Sequence, residues 1–87
     1  MKLPIVLPDL GVSRATLSVW FVAVGDLVYE GDLMLEIVLP GATFGLPAPV
    51  TGRVVERLAL VHDTLTPGQV VGWIDELDPG FEDGTKH

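Results

Sequence analysis

Residues 24–31 read Val-Gly-Asp-Leu-Val-Tyr-Glu-Gly, and residues 61–68 read Val-His-Asp-Thr-Leu-Thr-Pro-Gly, so the chain nearly repeats itself after 37 positions. The same shift lays Ile37 on Ile74, Leu17 on Val54 and Phe21 on Leu58. Each copy reads as strand, Asp-centred turn, Gly turn, strand. One such unit leaves an apolar face bare, whereas two related by a pseudo-twofold cover each other. Gly25, Gly31, Gly52 and Gly68 are expected at turns, and the repeat's pair Gly31 and Gly68 there to take positive φ without a Cβ penalty. Asp26 and Asp63 are expected to cap backbone N–H groups in those turns. Midway between the copies lies Leu39-Pro40-Gly41-Ala42-Thr43, which reads as a tight turn.

Strand signals dominate between the turns. Apolar and β-branched runs occur at 3–7, 15–24, 33–39, 42–46, 52–60 and 69–74, separated by Gly, Pro and Asp clusters. Thr16-Leu17-Ser18-Val19 alternates as a half-buried strand does. The stretch from Val19 to Leu35 is broken by Gly25-Asp26 and Gly31-Asp32 before a helical stripe can form. The expectation is all-β: a flattened barrel or sandwich of two four-stranded antiparallel sheets with an internal pseudo-twofold. Its N- and C-terminal strands meet at one end and the Pro40-Gly41 turn protrudes at the other. Trp20, Phe21, Phe44 and Trp73 are expected in or at the edge of the core.

With 87 residues there is room for one domain, assigned to residues 1–76, and the acidic, Gly-rich stretch 77–87 reads as a flexible tail or the start of a linker. Cysteine is absent and there are two histidines, which excludes a disulfide framework and argues against a structural zinc site. A net charge of −7 with five scattered basic residues argues against nucleic-acid binding. No apolar run approaches the ~20 residues that span a bilayer, and the N-terminal run is broken by Pro4 and Pro8, so membrane insertion is not expected and the location defaults to the cytoplasm.

Four segments, in order and spaced over residues 4–76, resemble the lipoyl/biotinyl carrier domains, and most closely the lipoyl domains of 2-oxoacid dehydrogenase acyltransferase subunits. They are Pro8-Asp9-Leu10-Gly11, the run from Trp20 to Asp32, the run from Pro47 to Val54, and the run from Asp63 to Val71. The resemblance implies the hammerhead fold of that family and a modified lysine on the central hairpin. Measured from the flanking Gly25 and Gly52, that lysine falls on Gly41. The family's Asp-Lys-Ala is here Pro40-Gly41-Ala42, so only Ala42 and the following Thr43 keep the pattern. The acidic residue three places before the lysine is Val38. Departure at three positions fits drift of the whole hairpin better than exchange of one residue. The expected cofactor is therefore none, with Gly41 a vacant acceptor position between Pro40 and Ala42. Pro-Gly at a turn centre suits a type II turn, so the hairpin itself is expected to persist.

No catalytic or metal-binding residue is expected. His62-Asp63 falls on the turn that Gly25-Asp26 makes in the first copy, and Thr64 and Thr66 have no oxyanion framework beside them. Glu30, Asp32 and Glu36 are spaced across a turn and strand, as on a solvated face. Gly11, Gly25 and Gly31 make no phosphate loop, because no helix follows them. The chain is thus expected to be a non-catalytic interaction or structural module derived from a dehydrogenase-type carrier. Its partners would be proteins, such as subunits of a dehydrogenase-type complex, or further copies of itself. The contact surface would be Val38, Leu39 and Pro40 with Phe44 and Leu46. Two alternatives stay open: a fragment of an acyltransferase carrier protein, and an unmodified adaptor domain of the efflux type. In the latter the halves are usually parted by a long helical hairpin, where this chain has only a short turn.

Overall fold

Alternating apolar residues, cut by Gly, Pro and Asp, give strands too short to stand alone, and they are stabilised by pairing across the repeat. In the computed structural model, which describes residues 1–77, the elements are β1 (Lys2–Val6), β2 (Ala15–Trp20), β3 (Leu27–Val28), β4 (Leu33–Leu39), β5 (Ala42–Pro47), β6 (Gly52–Arg57), β7 (Thr64–Leu65) and β8 (Val70–Glu76). They form two four-stranded antiparallel sheets, β1-β8-β6-β3 and β5-β4-β2-β7. The segment 78–87, where most of the expected tail falls, lies outside the described residues.

The duplication extends to individual residue pairs. β2 meets β4 with Thr16 opposite Val38 and Leu17 opposite Ile37, then skips a residue to set Val19 opposite Glu36. β6 meets β8 with Arg53 opposite Asp75 and Val54 opposite Ile74, then skips to set Glu56 opposite Trp73. The register and the bulge are thus the same after a shift of 37. β1 and β5 are likewise equivalent edge strands, Lys2, Leu3 and Pro4 corresponding to Thr43, Phe44 and Gly45. Each sheet order maps onto the other, β5-β4-β2-β7 onto β1-β8-β6-β3.

The inward residues of both sheets form one core. Ile5, Leu17, Met34, Leu35, Ile37, Leu65, Val54, Val71 and Ile74 are fully buried, and Leu3, Trp20, Phe44 and Val50 pack at its edge. Each fully buried Leu or Ile contributes about 1.5–3 kcal/mol. No polar or charged side chain is buried among the described residues.

Several sequence expectations need correction. The run 15–24 leaves the sheet after Trp20, and 52–60 leaves it after Arg57. Phe21 is consequently exposed, at 53%, and is not a core residue. β3 and β7 contain two residues each, too few for periodicity to reveal them. Gly52 is not in a turn: it begins β6, buried against β8, where a Cβ would overlap the carbonyl oxygen of Asp75. Its glycine is required by close backbone approach, not by positive φ.

Candidate functional site

The turns that frame the hairpin are built twice from the same bonds. Asp26 Oδ2 accepts from Ala23 N at 2.9 Å, and Asp63 Oδ2 accepts from Leu60 N at 2.8 Å. Gly25 N donates to Val54 O at 2.7 Å, and His62 N donates to Leu17 O at 2.8 Å. The left-handed position of this turn is Gly25 (φ 98°) in one half and His62 (φ 80°) in the other. His62 therefore serves as a turn residue. The second turn places Gly31 (φ 92°) and Gly68 (φ 83°) at matching points. There Asp32 Oδ2 accepts from Tyr29 N and Gln69 Oε1 from Thr66 N, at 2.9 and 3.0 Å.

β4 and β5 form a hairpin with a two-residue connection, Leu39 paired with Ala42. Proline locks φ near −65°, and Gly41 adopts +77°. That sign pattern belongs to a type II turn, not to the I′ or II′ turns usual for two-residue hairpins. Pro40, Gly41, Ala42 and Thr43 are exposed, and a Cβ at Gly41 would meet nothing within 4 Å. The tip is open to solvent, and Pro40, Gly41 and Ala42 carry no reactive side chain. From Ile37 to Pro47 there is no charged residue at all, on a chain of net charge −7.

Of the expected contact surface, Val38 and Pro40 are exposed, Leu39 and Phe44 are half-buried, and Leu46 is buried in the core. Leu46 is therefore removed from that surface, because it faces inward opposite Leu35. Glu30 is exposed and its N–H donates to Thr51 Oγ1 at 2.9 Å, Asp32 serves its turn, and Glu36 is half-buried on β4. No three His, Asp or Glu side chains among the described residues converge as a metal site. No helix among the described residues is long and apolar enough to cross a membrane.

A cleft of about 300 Å³ lies away from the hairpin, lined by Val19, Trp20, Arg57, Ala59, Leu60 and Val61. Arg57 is its only titratable group, so it holds no acid–base pair. The guanidinium sits 5.8 Å from the Trp20 ring centroid and donates to Val22 O at 3.2 Å. Sequence reasoning missed this bond and that of Arg53 to Gly25 O at 3.2 Å, whose partners lie 35 and 28 residues away. The repeat offered one clue, since Trp20 and Arg57 superpose under it.

Two equivalent four-stranded sheets, one of them carrying a hairpin with a two-residue connection, define the architecture of the domain. A family model described as "biotin-requiring enzyme", for biotinyl and lipoyl domains, matches residues 4–74, and the chain belongs to that family. It is 35% identical over 74 residues to the dihydrolipoyllysine-residue acetyltransferase component of the pyruvate dehydrogenase complex of Corynebacterium glutamicum, covering 83% of this chain and 11% of that protein. It is 33% identical over 79 residues to the succinyltransferase component of the 2-oxoglutarate dehydrogenase complex of Rickettsia typhi, covering 88% and 20%. It is 39% identical over 73 residues to the lipoamide acyltransferase component of the branched-chain alpha-keto acid dehydrogenase complex of Pseudomonas aeruginosa, covering 82% and 16%. The chain thus spans 11–20% of the length of these relatives.

Proposed function

We propose that this chain is a lipoyl-type domain without an attachment lysine, and that it acts as a non-catalytic interaction or structural module descended from the carrier domains of 2-oxoacid dehydrogenase acyltransferases. The observation that carries the reading is Gly41. It stands at the tip of the projecting hairpin, where an amide-linked lipoyl or biotinyl group would need a primary amine. The residues present do not fit such a group, since neither Pro40 nor Gly41 nor Ala42 supplies a nucleophilic nitrogen. Lys2 is no substitute: it lies in β1, opposite Asp75, at a sheet edge and not on a turn. Lys86 lies outside the described residues.

A carrier that cannot be loaded keeps two properties of its fold, a rigid frame and an exposed hairpin. Here the hairpin has become uncharged, which favours contact with protein. On this reading the module resides in the cytoplasm and its partners are subunits of a dehydrogenase-type complex. The test is incubation with lipoate ligase, lipoate and ATP, and separately with biotin ligase, biotin and ATP, followed by intact mass measurement. An unchanged mass is expected. An increase by one lipoyl or biotinyl group would falsify the reading.

A further inference from the structure

The two sheets have equivalent edge strands, β1 and β5, and the sequence protects one and not the other. Because Leu39 and Ala42 flank a two-residue turn, they form a hydrogen-bonded pair, and bonded and non-bonded pairs then alternate along the hairpin. Phe44 therefore bonds to β4, while the N–H and C=O groups of Thr43 and Gly45 point away from the sheet. The equivalent outward residues of β1 are Lys2 and Pro4. Lysine and proline are the residues that keep edges from pairing, and Pro4 removes the very N–H that Gly45 retains. The remaining edges, β3 and β7, are two residues long.

We propose that β5 pairs antiparallel with β5 of a second copy of this chain, joining two four-stranded sheets into one continuous sheet. Setting Thr43 opposite Gly45 of the second copy, and Gly45 opposite its Thr43, satisfies both outward N–H groups and both carbonyls. Phe44 then faces Phe44 of the second copy across a non-hydrogen-bonded pair, where side chains approach most closely. The edge itself sets no like charges against each other when two copies pair. Although each chain carries −7, the uncharged stretch from Ile37 to Pro47 keeps that repulsion away from the seam, so the pairing should strengthen as salt screens the rest of the surface. With β1 blocked, the isologous contact closes at the dimer and cannot extend into a fibre. This pairing is independent of whether the domain is ever modified.

The test is sedimentation equilibrium of the 87-residue chain from about 10 μM to about 1 mM, the range in which so small a contact populates. Wild-type mass should rise towards twice the monomer and stop there, and exchange of the Thr43 and Gly45 amides should slow over the same range. Thr43→Lys and Gly45→Pro, which copy the protection found in β1, should stay monomeric with unchanged circular dichroism. Thr43 is exposed, so its variant should fold even where Gly45→Pro disturbs Leu33, whose side chain covers that glycine. A wild-type monomer at the highest concentration, growth beyond the dimer, or a dimer that survives Thr43→Lys would overturn the proposal.

Discussion

Trp20 and Arg57 occupy equivalent positions in the two halves, and each reaches across to the other half's equivalent carbonyl. Trp20 Nε1 donates to Ala59 O at 2.9 Å, and Arg57 Nη1 donates to Val22 O at 3.2 Å. Ala59 and Val22 are themselves related by the shift of 37. One site of the repeat thus evolved two unlike side chains that perform the same bond. The guanidinium also lies over the indole, tying the halves together where they meet.

Trp20→Phe keeps the ring and deletes the donor, leaving the Ala59 carbonyl to seek water. We expect a loss of about 1–2 kcal/mol from the hydrogen bond and a weakened cation–π contact. Arg57→Met should cost less, about 1 kcal/mol, because Arg57 is exposed and its contribution is screened. Urea denaturation of the two single variants and the double measures the coupling. Strict additivity would show that the stacked pair contributes nothing jointly.

The left-handed turn position gives a second comparison. His62 holds φ 80° where the other half uses glycine, and a side chain there costs about 1 kcal/mol. His62→Gly relieves that strain but enlarges the unfolded ensemble, so a net gain of about 0.5 kcal/mol is expected, seen as a rise in Tm of about 2–4 °C. Gly25→Ala should lower stability by about 1 kcal/mol. A fall in Tm for His62→Gly would show that its side chain contributes more than the turn alone explains.

Asp26→Ala and Asp63→Ala each remove one carboxylate from a turn N–H. The bonds are exposed and water replaces part of them, so about 0.5–1 kcal/mol each is expected. The two sites lie in different halves, and their costs should add in thermal melts. Gly52→Ala is the severe case, about 3 kcal/mol, because the new methyl group would overlap the Asp75 backbone and one strand must shift. Its counterpart Ala15 already carries a methyl in the core, so Ala15→Gly should cost no more than about 1 kcal/mol.

The repeat made the fold legible because every paired strand carries its partner's spacing. Val24, Asp26, Gly31 and Ile37 return 37 residues later, and the bulge register returns with them. What sequence could not reveal depended on contacts made at a distance. Gly52 resembles any turn glycine until Asp75 is brought against it. Phe21 continues an apolar run, yet the chain turns out of the sheet one residue earlier. Leu46 belongs to the hairpin by sequence and to the core by register. The Pro40-Gly41 turn was legible, because proline and glycine set its backbone signs locally.

On the proposed function, the hairpin persists without an amine at its tip. Gly41→Lys restores the amine but places a side chain at φ 77° behind Pro40, so modification should be poor. Restoring the flanks as well, with Val38→Glu, Pro40→Asp and Gly41→Lys together, should give a substrate. The decisive measurement is intact mass of wild type, the single variant and the triple variant treated side by side with lipoate ligase. The expected result is no adduct on wild type, a small fraction on Gly41→Lys and one lipoyl group on most of the triple variant. One lipoyl group on the wild-type chain would contradict the account.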